Sequence, residues 1–203
     1  MKKLIIVLLA ILALIAIYLV IKGPSFYNTG IDLKENTAEQ WGNVESAYQR
    51  RADLIPSIVN TAKGYAEFEQ ETLTKVIEAR SKATAVQIDP SNITPAQLEQ
   101  FQQVQSGLSS ALARLLAVFE RYPDLKANEN FKELINELER TENRINVERN
   151  RFNETVNPYN KHLKKFPNNI LNNFIGNFET MDYFEAAEGS ENAPEVEFDF
   201  GTN

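Results

Sequence analysis

The stretch Leu4–Ile21, LIIVLLAILALIAIYLVI, runs for eighteen positions without a charged residue. At about 1.5 Å per helical residue it reaches roughly 27 Å, close to the hydrocarbon thickness of a bilayer. In lipid a lone segment has to satisfy every backbone N–H and C=O internally, which a helix does. Lys2 and Lys3 precede the run; Lys22, Gly23 and Pro24 follow it. We read residues 1–24 as a single-pass N-terminal membrane anchor, with the lipid bilayer as the first partner. A removable signal has a shorter apolar region, about 7–15 residues, ending in a small-x-small cleavage site. Here Ala10, Ala13 and Ala16 recur every third position, and no cysteine exists to form a lipobox. The reading is an uncleaved anchor. The basic residues before the span favour a cytoplasmic N-terminus and an extracytoplasmic body, although Lys22, Lys34, Arg50 and Arg51 on the far side pull the other way.

Past the anchor, about 178 residues remain, enough for one domain with a proper core. Glycine and proline are sparse at eight each, while Ala, Leu, Glu, Gln, Arg and Lys dominate, which favours helix. The absence of cysteine excludes thiolate catalysis, disulfides and Cys-based zinc sites. The net charge of −7 is unevenly spread. No basic residue follows Lys165, and eight acids lie beyond it, which leaves residues 26–165 near −2. A balanced body with an acidic tail is a poor polyanion binder, so nucleic acid is not an expected partner.

Residues 23–30, GPSFYNTG, read as a breaker-rich link. A seven-residue beat then holds over about 31–87. Trp41, Tyr48, Ile55, Ala62, Val76 and Ala83 share one position; Val44, Arg51, Ile58, Tyr65, Ala79 and Val86 lie three further on. The pattern predicts one long helix kinked at Pro56, with Gly64 a second soft point; two helices broken near Pro56 fit as well. QIDPSNIT (87–94) is a turn, with Thr94 as N-cap, Pro95 at the first helical position and Gln97 completing a capping box. The next helix, about 95–122, carries Phe101, Leu108, Leu115 and Tyr122 at sevens, widened by Leu112 and Phe119. PDLKANEN (123–130) is a turn, with Asn128 a candidate cap. A third helix, about 129–166, repeats Phe131, Leu138, Ile145, Phe152, Tyr159 and Phe166 at sevens, with Pro158 as a kink. NNILNNFIGNFETMDYF (168–184) carries Ile170, Leu171, Phe174, Ile175, Phe178, Met181 and Phe184 at helical spacing. It is expected to dock across the bundle, as a short helix over about 168–178, with 179–203 an acidic tail. Within that tail Val196, Phe198 and Phe200 alternate with acids as in a strand, free or packed on the body or a neighbouring chain, and are candidate contact residues. The fold class is all-α: a membrane helix followed by an antiparallel, up-down-up bundle.

Three charges intrude on apolar seams: Arg51, Glu142 and Arg149. A buried charge needs a partner. Helix lengths counted from the turns set Glu142 level with Thr72, Ser109 and Ser110, and Arg149 near Glu78, Gln102 and Gln105. The arrangement suits a polar layer that fixes helix register, or a ligand site. In RRADLIP, Arg50, Arg51 and Asp53 offer guanidinium forks for a phosphate or carboxylate, or an ion pair closing a helix junction. Arg144 completes this set of polar-seam or interaction candidates. His162, the single histidine, has no ligand-type residue four positions away and is read as a surface residue. No GxSxG or Gly-rich phosphate loop occurs, so neither catalytic residues nor a cofactor nor a metal is expected.

RRADLIP (50–56), KGYAEFEQETL (63–73), EARSKA (78–83), YPDLKANENF (122–131) and TENRI (141–145) together resemble the LemA family. Trp41, YN at 27–28, VNPYN (156–160), FP (166–167) and APEVEF (193–198) extend the resemblance over nearly the whole chain. It implies a bacterial single-pass membrane protein with an N-terminal anchor and a helical body, and no agreed catalytic residues. It also implies the alternative of a cytoplasmic body. The function expected is a non-enzymatic, membrane-anchored scaffold that associates with itself or with a membrane-protein partner. The alternatives are a sensor domain binding a small ligand in the bundle, or an accessory subunit of a membrane protease or transporter.

Overall fold

The computed structural model describes residues 2–64 and 69–185. Among them helix is the one regular secondary structure, and no strand occurs. The first helix, α1, runs without interruption from Lys2 to Lys63. The expected link at 23–30 is helical instead, although Pro24 contributes no N–H to the ladder. Gly23 and Gly30 are buried, and they let another segment approach: a Cβ on Gly30 would stand 2.8 Å from the Phe178 ring. The glycines therefore serve packing on one face, not a bend. Side chains from Leu4 to Leu14 and from Ala16 to Tyr18 are exposed, while Leu19 is partly buried against the body. α1 is long and apolar enough to cross a membrane.

The break in the long helix falls at Gly64, whose N–H closes a turn on the Thr61 carbonyl, and α1 runs straight through Pro56. Helix α2 spans Gln70–Ala85. It folds back along α1, with Arg80 Nε donating to the Ala52 carbonyl at 2.7 Å. The reversal has a plain cause. Leu73, Val76 and Ala83 are an apolar stripe that a continuous helix would leave bare, and the hairpin buries them against Ile55, Ile58, Val59 and Ala62. Helix α3 is Pro95–Phe119, opened by the expected capping box of Thr94 and Gln97. The expected turn after it holds one further helical turn, α4, at Pro123–Ala127. Asn128 then caps α5, Glu129–Lys164, by accepting from the Phe131 N–H at 2.9 Å.

α5 lies antiparallel to α1, whereas the expected up-down-up order makes the first and third long helices parallel. α2, folded back after Gly64, adds one more reversal and inverts the sense of α3 and α5. Phe26 meets His162, Gln40 meets Glu148 and Arg50 meets Glu137, one number falling as the other rises. α5 ends before Phe166, which is left 80% exposed instead of continuing the core stripe. The docking segment is shorter in helix than expected: α6, Asn168–Leu171, leads into one π turn, Asn172–Gly176. Asn177 then takes a left-handed conformation (φ 48°), which asparagine tolerates, and the chain continues without regular secondary structure to Glu185. This strap is not free tail. Met181 and Phe184 are buried, and two asparagines of α5 clamp its backbone from both sides. Asn160 donates to the Met181 carbonyl (2.8 Å) and accepts from its N–H (3.0 Å); Asn153 does the same for Phe184 at 2.9 and 2.8 Å. Tyr159 adds a bond from its hydroxyl to the Glu179 carbonyl at 2.8 Å. Burial, with the Glu179 charge adding to it, pushes that phenol up to about 12.

The core has two halves. The half nearer the N-terminal segment is aromatic: Trp41 packs on Phe101, Phe152 and Phe184 with ring centroids 5.1–5.9 Å apart. The far half is mostly aliphatic, built from Ile55, Ile58, Leu73, Leu108, Leu112, Leu115 and Leu138, and closed by Phe119 on Phe131. Between them, one turn beyond Tyr48 and one turn before Ile55, lies Arg51.

Candidate functional site

Arg51 belongs to the same heptad position as Val44 and Ile58, and the helix gives its side chain no other direction than inward. It is 1% exposed. Its guanidinium makes four hydrogen bonds. Nη1 donates to Ser109 Oγ and to Glu142 Oε1, both at 2.7 Å; Nη2 donates to the Gln105 side-chain oxygen at 2.7 Å and to its carbonyl at 3.3 Å. Gln105 in turn donates to the Ala83 carbonyl at 3.3 Å. One buried cation thus ties together α1, α2, α3 and α5. The planar fork of arginine suits this, since an ammonium could not meet three side chains in one plane. Arg51 Nε has no hydrogen-bond partner among the described residues.

Beside the guanidinium opens a cleft of about 620 Å³, whose walls include Tyr48, Gln102, Gln105, Glu142, Arg149 and Glu185. The Tyr48 ring lies 5.2 Å from the Arg51 guanidinium carbon. Burial raises the Tyr48 phenol above its ordinary range; Arg149 and Arg51 pull it down, and Glu142 adds to the rise. Arg149 closes the other end, donating to the Glu185 carbonyl and stacking over the Phe184 ring at 5.0 Å. Arg51, Glu142 and Arg149 therefore meet in one place, with Ser109, Gln102 and Gln105 beside them as the helix lengths require. Thr72, Ser110 and Glu78 do not join them. Glu142 keeps its side chain 37% exposed, so it faces water on one side and the guanidinium on the other.

The rest of the expected set disperses. Arg50 turns to α5 and pairs with Glu137 at 2.6 Å, in the open. Glu137 also takes Arg140, and bonds from Arg140 and then Arg50 hold its carboxyl below the usual range. Asp53 accepts from Gln49 at 2.8 Å and stands 4.0 Å from Arg80 of α2. Three residues of RRADLIP thus face three different neighbours, and the segment closes no helix junction because α1 continues past it. Arg144 lies on the opposite side of α5 from the cleft, where it reaches Glu148 at 2.6 Å. Val196, Phe198 and Phe200 lie outside the described residues.

His162 is half-buried, not on the surface as expected. It stacks on Phe26 (4.9 Å between centroids), Nε2 donates to the Phe26 carbonyl at 2.9 Å, and Asn168 donates to Nδ1 at 3.2 Å. These partners fit a ring carrying its proton on Nε2. The residue is a pin between α5 and α1, remote from the cleft.

Glu148 escaped the sequence reading. It is fully buried, yet burial, which alone would raise its carboxyl, is outweighed by Gln40 (2.8 Å), Arg151 (3.1 Å) and Arg144, so the group is held below the ordinary glutamate range. The signal was present: Glu148 lies three residues after Ile145, the spacing that the seam of α5 adopts in its first half. Gln105 was legible in the same way, seven residues before Leu112 and fourteen before Phe119. No group of three His, Asp or Glu placed to hold a metal ion occurs among the described residues.

An all-helical protein with an N-terminal helix fit to span a bilayer, and a body knit around one buried arginine, is the class these features define. A profile of the LemA family matches residues 40–198, and the chain belongs to that family. It is similar to "Magnetosome protein MamQ 2" of Paramagnetospirillum magneticum, 26% identical over 178 residues, covering 78% of this chain and 64% of the relative. "Magnetosome protein MamQ" of Magnetospirillum gryphiswaldense is 24% identical over 177 residues, with the same coverage, 78% and 64%. "Protein LemA" of Metamycoplasma hominis is 27% identical over 128 residues, 63% of this chain and 55% of the relative. The chain thus spans less than two thirds of the length of these relatives.

Proposed function

We propose that the protein is a membrane-anchored, non-enzymatic scaffold of the LemA type, held in the bilayer by the first turns of α1 and assembling with itself or with a membrane-protein partner. The observation that carries this is the unbroken course of α1. Its first part is bare and apolar, and its later turns, from Phe26 to Ala62, form the spine of the core. No joint separates anchor from body. A body fixed in height and tilt above a bilayer presents its sides to neighbours in a defined way, which is what a scaffold requires and what a tethered enzyme does not. The expected sidedness, with the body outside the cytoplasm, follows from Lys2 and Lys3.

In-membrane crosslinking of the full chain followed by mass analysis is the test. Crosslinks between copies or to one membrane protein are the expected result. A monomer at micromolar concentration without crosslinks, or extraction of the chain by alkaline carbonate, refutes the reading. A second reading rests on the cleft of about 620 Å³, where Glu142, Arg149, Arg51 and Tyr48 offer both charges and a hydroxyl to a small polar ligand. A ligand-induced melting shift abolished by Glu142→Leu would favour it over the scaffold.

A further inference from the structure

The segment that follows α5 is unlike the rest of the chain in charge. Between Glu154 and Glu179 there is no acid, while Lys161, Lys164 and Lys165 lie within it, in a protein of net charge −7. It is unlike the rest of the body in exposure as well. Phe166 and Phe174 are 80% and 73% exposed, and Ile170 and Ile175 are also bare. A soluble body gains nothing by showing water four large apolar side chains within ten residues.

Their position gives the explanation. The Ile175 side chain lies 3.0 Å from where a Cβ of Gly23 would be, and Phe178 packs on Phe26 and Tyr27. The segment therefore sits beside the turn of α1 that follows Ile21 and Lys22, where the uncharged run ends. Along the axis this is within roughly 10 Å of the last apolar residue, the depth of an interfacial layer. Asn172 holds the turn in shape from within, its side chain bonding the Phe178 backbone at both N–H and carbonyl, each at 2.9 Å.

We infer that residues 161–176 form a foot that rests in the headgroup layer of the bilayer the anchor crosses, with Phe166, Ile170, Phe174 and Ile175 at the acyl boundary and Lys161, Lys164 and Lys165 on anionic headgroups. This rests on the anchor reading of α1. Aromatic residues with flanking lysines are the composition that settles at that depth, and lysine stems can reach outward to phosphates while the rings point inward. A foot beside the exit point gives the body a second contact with the membrane and fixes which of its faces leans toward the lipid as well as its height.

The absence of native cysteine allows a direct test on the full chain. Single Leu12→Cys, Phe174→Cys and Asn130→Cys variants carry an environment-sensitive fluorophore in vesicles of phosphatidylcholine with phosphatidylglycerol, with quenching by nitroxide lipids or by aqueous iodide. The expected result is loss of most emission to the lipid quencher at positions 12 and 174, and to iodide at 130. Adding Lys164→Glu and Lys165→Glu lowers the lipid quenching at 174 in anionic vesicles, with little change in pure phosphatidylcholine. Lipid quenching at 12 with iodide quenching at 174 overturns the foot and leaves the anchor standing. Iodide quenching at 12 overturns the anchor. A label at 174 shielded from both quenchers means that protein covers the patch, another copy or another segment, and also overturns the foot.

Discussion

Replacing Glu142 by leucine should harm the protein more than replacing Arg51 by methionine, although Arg51 is the buried partner. With Glu142 removed, a fully buried guanidinium keeps Ser109 and Gln105 but loses the carboxylate that pairs with it among the described residues; removing one partner of a buried pair costs about 3–5 kcal/mol. With Arg51 removed, Glu142 is already 37% exposed and takes up water. Gln105 keeps its bond to Ala83, and the four lost bonds, about 1 kcal/mol each, are offset in part by an apolar side chain replacing a buried charge, which leaves a net loss of about 2 kcal/mol. The double variant strands no charge and should lie near the Arg51→Met value, so it recovers about 1–3 kcal/mol of the Glu142→Leu loss. Urea unfolding of the full chain in detergent, followed by helical dichroism and by Trp41 fluorescence, measures all three. The reasoning is refuted if Glu142→Leu matches wild type, or if the double variant is as unstable as the two single losses added.

Further outcomes follow from single contacts. Glu148 has a depressed carboxyl, so its contribution is fully present above the ordinary glutamate value of 4.5 and disappears as pH falls through the lower folded value; acid unfolding should steepen in that window, and Glu148→Gln should flatten it while costing about 1–2 kcal/mol at neutral pH. Pro56 is exposed inside α1, and Pro56→Ala should raise stability by about 1–3 kcal/mol, read from the urea midpoint, by restoring a ladder donor. Asn160→Leu orphans the Met181 N–H and C=O, and should release the strap at a cost of about 2–4 kcal/mol, seen as fast hydrogen exchange over 177–185. Thr94→Ala removes the capping box of α3 and should cost about 1 kcal/mol by the same urea assay.

The apolar run, the caps at Thr94 and Asn128 and the all-α class were legible, because each is set by residues close in sequence; the up-down-up order was not, because it took α1 and α2 for one helix. Glu142 beside Ser109 was legible from counting turns, and Arg51 as a seam charge in need of a partner; that Glu142 is that partner was not, because their meeting depends on the reversal after Gly64. What escaped had longer-range causes. Gly64 was legible as a soft point, but that α1 ends there, and that helix runs through Gly23 and Pro24, depend on what packs against each face, and local propensity is a weak guide there. The strap looked like tail because its anchors are asparagines, whose bonds to a distant backbone leave no periodic trace. Glu148 hid because the seam of α5 drifts from the Ile145 and Glu148 spacing toward Val156 and Leu163, as a straight helix must against a strict seven-residue repeat.

One uninterrupted α1 also means that phase is conserved between lipid and body. A helix turns about 100° per residue, so a single residue inserted near Lys22 would swing every face of the body by that angle about the membrane normal, and four would nearly restore it. Any twist imposed on the span would reach Arg51 as a rotation of the buried cation against its partners on α3 and α5.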